Sequence, residues 1–326
     1  MKKILALLLA LWIPAAVLSG CVPQDDSAAS NKLNIVTTIF PAYDWVREIL
    51  GAETDRAEIT MLLDSGVDLH SYQPTVDDIV KISDCDLFLY VGGESDGWVE
   101  DALKNAPNKE RKVIRLLDVL GDSAKAEETV AGMQEEEHDH EEEAEYDEHI
   151  WLSLKNAQVL VAAISEALQE TDPARKDTYA ANAAAYVEKL SALDGEYRAA
   201  VDSGKYKTLL FGDRFPFRYL ADDYGLDYYA AFPGCSAETE ASFETVSFLA
   251  GKMDALGLPC VLTIEGTQHK IAETIVQNTA QKNKQVLTMD SMQAVTANDA
   301  ASGVSYLSIM EKNLSVLKKA LGQEAE

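Results

Sequence analysis

The sequence predicts an α/β protein of two lobes, each a four-stranded, mainly parallel sheet with flanking helices, joined by one long rigid helix. Beyond Asn31, short apolar runs alternate with helical periodicities, the pattern of parallel strands linked by crossover helices. The runs fall into two groups, and between the groups lies an alanine-rich stretch with no internal proline.

The first group of strands is expected at Leu33–Thr38, Glu58–Leu63, Asp86–Val91 and Lys112–Asp118, with helices such as Pro41–Leu50 and Gly97–Lys104 between them. The second group is expected at Thr208–Gly212, Asp227–Phe232, Cys260–Glu265 and Gln285–Asp290. Its helices include Phe215–Tyr224, closed by Gly225, then Lys270–Lys282 and a final one near Val304–Leu321. The connecting segment opens on Asp172-Pro173, an N-cap followed by proline where a first helical residue would stand. Thirty residues of helix make a rod of roughly 45 Å. Tyr179, Ala183, Tyr186, Leu190, Leu193 and Tyr197 recur at three- and four-residue spacing, so one face of the rod should pack. The implied domains are a first lobe over residues 32–172, a linking helix over 173–203 and a second lobe over 204–326.

The N-terminus reads as an export leader over residues 1–21. Lys2 and Lys3 precede the apolar stretch Ile4–Val17, and Leu18-Ser19-Gly20-Cys21 looks like the bacterial lipobox. Cys21 is then the lipidated residue, and the small polar segment 22–31 is a tether. No later segment approaches the roughly 18 uninterrupted apolar residues of a spanning helix, so the folded part should sit outside the membrane, held by lipid.

There are 28 Lys and Arg against 55 Asp and Glu, a net charge of −27. Such a surface disfavours nucleic acid and anionic ligands and favours cations. With Cys21 lipidated, Cys85, Cys235 and Cys260 remain, an odd number that describes no disulfide framework. Within residues 121–147, the run Gln134–Glu145 is a block of like charge carrying His138 and His140. It should be disordered, and either collects cations weakly or merely spaces the strand before it from His149.

Five histidines are present: His70, His138, His140, His149 and His269. A lone histidine is ordinarily a surface or satisfied polar residue, and His269, opening a predicted helix, is read that way. His70 and His149 are different, because both follow strands of the first group, and open parallel sheets bind ligands beyond the carboxyl ends of their strands. In the second group Asp213 directly follows one strand and Asp290 closes another. Two imidazoles from one lobe and carboxylates from the other make a mixed N and O site that zinc accepts at four-coordinate geometry, and manganese can also use.

The stretch Asp64-Ser65-Gly66-Val67-Asp68-Leu69-His70, running on to Asp77, resembles the first metal-ligand motif of the ZnuA/TroA-type zinc and manganese binding proteins of ABC importers. Glu148-His149-Ile150-Trp151-Leu152-Ser153 is similar to their second, which in zinc members follows a His- and acid-rich loop. The resemblance covers essentially the whole chain after the leader. It implies two α/β lobes joined by a rigid helix that close slightly over one ion, with an ABC permease as partner, a monomeric receptor and no catalysis. It makes His70 and His149 first-lobe ligands and Asp290 the second-lobe carboxylate, with Glu265 a weaker candidate. The third ligand departs from the family pattern: alignment from Tyr224 places Arg214 where His or Glu is usual, and a protonated guanidinium has no lone pair to offer. Asp213 takes that place if the loop carries one extra residue; water is the other choice.

The expected cargo is therefore Zn2+, with Mn2+ the alternative. An enzyme would need a general base and a signature such as H-E-x-x-H, G-x-S-x-G or a phosphate loop, none of which occurs. A metal-independent adhesion lipoprotein is the competing class.

Overall fold

The computed structural model describes residues 32–104, 106–134, 145–236, 240–266 and 269–323. Cys21, the tether, and His138 and His140 of the acidic loop lie outside the described residues.

The first sheet has strands β1 (Leu33–Thr37), β2 (Ala57–Met61), β3 (Leu87–Tyr90) and β4 (Lys112–Arg115) in the order β2-β1-β3-β4, every pairing parallel. The second has β5 (Thr208–Phe215), β6 (Asp227–Pro233), β7 (Cys260–Thr263) and β8 (Gln285–Thr288) in the order β6-β5-β7-β8, again all parallel. Strand order reverses between β1 and β3 and between β5 and β7, so each sheet has a switch point whose carboxyl end is the natural ligand edge. In the first lobe the helices are α1 (Phe40–Leu50), α2 (Val76–Asp84), α3 (Val99–Lys104), α4 (Leu116–Leu120) and α5 (Leu154–Thr171). The rod is α6 (Lys176–Ser203), and α7 (Arg218–Tyr224), α8 (Phe243–Leu256), α9 (Lys270–Asn278), α10 (Ala297–Ala301) and α11 (Tyr306–Ala320) follow it.

Two expected elements change shape. The fourth strand stops at Arg115, and Leu116–Leu120 turns into α4; a short apolar run does not distinguish a strand from a buried helix. The fifth strand continues to Phe215, with a register shift between Phe211 and Arg214 that gives β5 one residue more than β6 over that interval. Such a bulge re-aims the side chains around it. Phe215 and Phe217 are buried, so the aromatic run stays in the sheet layer and α7 begins only at Arg218. Gly225 closes α7 at φ +68°, a left-handed conformation suited to glycine.

The rod is α-helical for 28 residues, and Pro173–Arg175 before it forms a 3-10 turn. Asp172 anchors that turn by accepting from Arg175 Nη1 at 2.8 Å and from the Tyr179 hydroxyl at 2.9 Å. Tyr179, Ala183, Tyr186, Leu190, Leu193 and Tyr197 are all buried, against α1 and α5 on one side and α11 on the other. One continuous apolar cluster therefore runs from Ile35 and Trp45 through Leu190 to Met289, Tyr306 and Leu317. Polar contacts seal the same seam: Tyr306 N–H donates to Asp44, and its hydroxyl donates to the Trp151 carbonyl. The Trp151 indole donates to the Ser291 carbonyl. Among the described residues, no helix is long and apolar enough to cross a membrane.

Leu190 is completely buried in the shared cluster. Leu190→Ala should cost about 2–5 kcal/mol, because the core cannot collapse fully around the void. Urea unfolding followed by circular dichroism checks it, and a loss below about 0.5 kcal/mol would place that face of the rod outside the core.

Candidate metal centre

Both histidines expected to ligate are brought together. His70 lies in a 3-10 turn over Leu69–Ser71, whose N-cap Asp68 accepts from the His70 N–H at 3.0 Å. His149 precedes the 3-10 turn Ile150–Leu152 and is wholly buried. Their Nε2 atoms stand 3.3 Å apart. Two nitrogens on one tetrahedral zinc at 2.0–2.1 Å are about 3.3–3.4 Å from each other, so the pair is already at ligand spacing.

The far nitrogen of each ring is held. His149 Nδ1 lies 3.0 Å from Asp147 Oδ1, which also accepts the His149 N–H at 2.8 Å. His70 Nδ1 lies 2.8 Å from Ser95 Oγ and 3.5 Å from Glu148 Oε2. Glu148 is itself buried: its Oε1 accepts from Ser95 N–H at 2.8 Å, and Oε2 has no hydrogen bond among the described residues. A Cβ on Gly93 would fall 2.0 Å from Glu148 Oε1, so a glycine there is what admits the carboxylate. An imidazole that donates from Nδ1 to a carboxylate keeps its Nε2 lone pair for a metal.

These surroundings separate the two rings electrostatically. Burial is the largest influence on His70 and, with the neighbouring His149, pushes its pKa down to about 3. Burial also pulls His149 down, but the hydrogen bond and charge of Asp147, with Glu148, outweigh it and leave the pKa above the ordinary 6.5. A proton entering the pair thus goes to His149, where its Nε2–H points at His70 Nε2. Proton and metal compete for one point in space.

Asp213 is placed elsewhere. Its Oδ2 accepts from Ile264 N–H at 3.4 Å and its Oδ1 from Arg214 N–H at 2.9 Å. Arg214 Nη2 crosses to the first lobe and pairs with Asp68 at 2.6 Å, while Nη1 donates to the Ser236 carbonyl. Burial would raise Asp68, yet the Arg214 guanidinium holds its carboxyl below the usual range. Asp290 accepts from Met292 N–H at 2.8 Å, and burial beside Glu265 raises it to about 6. Glu265 accepts from the Ser291 N–H and hydroxyl and from Gln293 N–H, clamping the turn that carries Asp290. The one group of three potential ligands that meets metal-site spacing among the described residues contains neither aspartate. It is His70, His149 and Cys235, with ligand atoms all within 4.8 Å of one another.

Cys235 follows β6, and its N–H donates to Glu127 Oε1 at 2.8 Å. Burial, reinforced by Asp147, Glu127 and Glu148, pushes its thiol well above the ordinary cysteine range. His70, Cys235, Glu94, Glu127 and Glu148 line one open cleft of about 540 Å³. The odd cysteine count speaks only to disulfides and carries no sign of Cys235 as a metal ligand; all three described cysteines are free. Gly234-Cys235 directly after a strand, at a ligand edge, was the available signal.

The two lobes share a core and carry a carboxylate-braced imidazole pair at their seam. Residues 35–320 match the family described as the periplasmic component A of the zinc-uptake complex, ZnuA, and the chain belongs to that family. It is 34% identical over 329 residues to the zinc-binding lipoprotein AdcA of Streptococcus pneumoniae, covering 99% of this chain but 62% of that protein's length. It is 29% identical to the high-affinity zinc uptake system protein ZnuA of Bacillus subtilis, covering 89% of this chain and 88% of that one. The crystal structure of the Zn(II)-bound ZnuA-like domain of S. pneumoniae AdcA superposes with a TM-score of 0.69 at 30% identity, covering 90% of this chain and 100% of that one.

Metal affinity should depend on pH through His149. Above its raised pKa both imidazoles are neutral; below it one proton must leave for each ion bound, so affinity falls an additional tenfold or about that per pH unit. Asp147→Asn removes the charge that holds the ring, and affinity should drop about 10–100-fold. Competition with a chromogenic chelator across pH 5 to 8, roughly the range in which imidazoles titrate, checks both. An affinity in that range that is indifferent to pH would remove the imidazole pair from the site.

Proposed function

We propose that this protein is an extracytoplasmic receptor that captures one zinc ion between His70 and His149 and delivers it to an ABC permease. Lipid on Cys21 tethers it to the outer face of the membrane. The single observation carrying this is the 3.3 Å separation of the two Nε2 atoms, each ring braced at its other nitrogen. Family membership and the zinc-binding relatives support zinc as the cargo. Neutral imidazoles also favour zinc over manganese, which prefers an all-oxygen shell. The net charge of −27 draws cations towards the cleft.

The site is built for capture rather than turnover. Its two carboxylates nearest the rings are committed to positioning, and the shared core leaves the lobes little room for a large hinge motion. Asp213 or Asp290 becomes a ligand only if lobe closure draws it from its present backbone donors.

The mature protein, purified without added metal, should hold one zinc equivalent and prefer zinc to manganese in calorimetric competition. His70→Ala and His149→Ala should each lose more than the roughly 100-fold that removal of an outer partner costs, with an unchanged far-ultraviolet spectrum. Preference for manganese would overturn the cargo. A histidine variant that binds like the parent would exclude that residue.

A further inference from the structure

We propose that the Cys235 thiolate is the third protein ligand, so that the second lobe closes the site with sulfur and the cargo is held by two imidazoles and one thiolate. This rests on His70 and His149 binding the metal, and it specifies what completes their coordination. The geometry is the first support. A nitrogen and a sulfur on one tetrahedral zinc, at about 2.05 and 2.3 Å, lie about 3.5–3.6 Å apart. The Cys235 Sγ and one ring nitrogen from each of His70 and His149 all lie within 4.8 Å of one another, so an approach on the order of an ångström completes the set.

The backbone is shaped to put a side chain at that point. A Cβ on Gly234 would fall 2.9 Å from the Phe215 carbonyl oxygen and 3.2 Å from His149 Nδ1. Only a residue without a side chain lets the chain pass across the His149 ring. The next residue is then delivered into the cleft that His70 lines, and the Glu127 carboxylate fixes its N–H. The other two cysteines are core residues: Cys85 and Cys260 are buried, and Cys85 Sγ donates to the Ile82 carbonyl.

The second lobe's competing groups are occupied. Arg214, which would repel a dication, is turned onto Asp68 at 2.6 Å, and Asp213 is bound to backbone donors. On binding, the S–H bond breaks, a metal–sulfur bond forms and the proton passes to solvent. The centre then carries one net positive charge, with the Asp147 and Glu148 carboxylates beside it. A thiolate is a soft donor that adds to the preference for zinc over manganese, magnesium or calcium. Three protein ligands leave one tetrahedral position for water or for the acceptor during release.

The test uses zinc-loaded mature protein. Zinc-edge X-ray absorption should show one sulfur neighbour at about 2.3 Å, and the cobalt-substituted protein should show a thiolate-to-metal charge-transfer band. Cys235→Ser and Cys235→Ala should abolish both signals, weaken zinc at least tenfold and narrow the zinc-over-manganese preference, with thermal unfolding reporting that they are folded. A zinc shell of nitrogen and oxygen only in the parent protein, or variants with the parent's affinity and selectivity, would overturn Cys235 while leaving the imidazole reading intact. Failure of the parent to bind zinc at all would overturn both.

Discussion

The structure turns on two imidazole nitrogens kept 3.3 Å apart inside protein. Bringing them there is costly without partners, since each ring has a polar atom that must be satisfied away from water. Asp147 and the Ser95–Glu148 pair meet that need, and in doing so they set which nitrogen of each ring faces its neighbour. Those carboxylates are buried in turn, and the fold must satisfy them. The Ser95 N–H serves Glu148, the His149 N–H serves Asp147, and the Tyr219 hydroxyl donates to the Asp147 carbonyl. Close backbone approaches at Gly93 and Gly234 complete the enclosure.

Such a pair is useful only if the frame holds it. The two sheets share a core: Trp45, Leu190 and Tyr306 belong to one apolar cluster that spans both. The imidazole pair is therefore ordered on folding, and such preorganisation is the usual route to high affinity at a small site. A smaller cluster around Leu249, Met253 and Ile275 packs the other face of the second sheet.

The Asp68–Arg214 pair acts as an alignment device across this frame. Both side chains are partly exposed, Asp68 at 24% and Arg214 at 17%, and such pairs contribute at most about 1 kcal/mol. Its effect is positional: Asp68 also caps the turn bearing His70, and Arg214 also holds the Ser236 carbonyl beside Cys235. One guanidinium thus links the loop of the first imidazole to the loop of the thiol. It stands at the position where the sequence resemblance leads one to expect a third ligand, and a guanidinium has no lone pair to offer.

The sequence by itself determined the architecture, because the determinants are local and repetitive. Apolar runs separated by helical periods specify parallel α/β sheets, and the three- and four-residue spacing from Tyr179 to Tyr197 specifies the packed face of the rod. His70 and His149 were also legible, since the loops after strands at a sheet's carboxyl edge converge whatever their details. The rest of the centre was decided by the tertiary structure. The extra residue in β5 between Phe211 and Arg214 sends Arg214 to Asp68, 146 positions away, and leaves Asp213 on the Ile264 N–H. Cys235 meets His149 only because β6 ends beside the seam and Gly234 has no side chain to keep them apart. A bulge and a glycine-permitted approach depend on contacts between distant segments, and no periodicity in the chain encodes where such segments point their side chains.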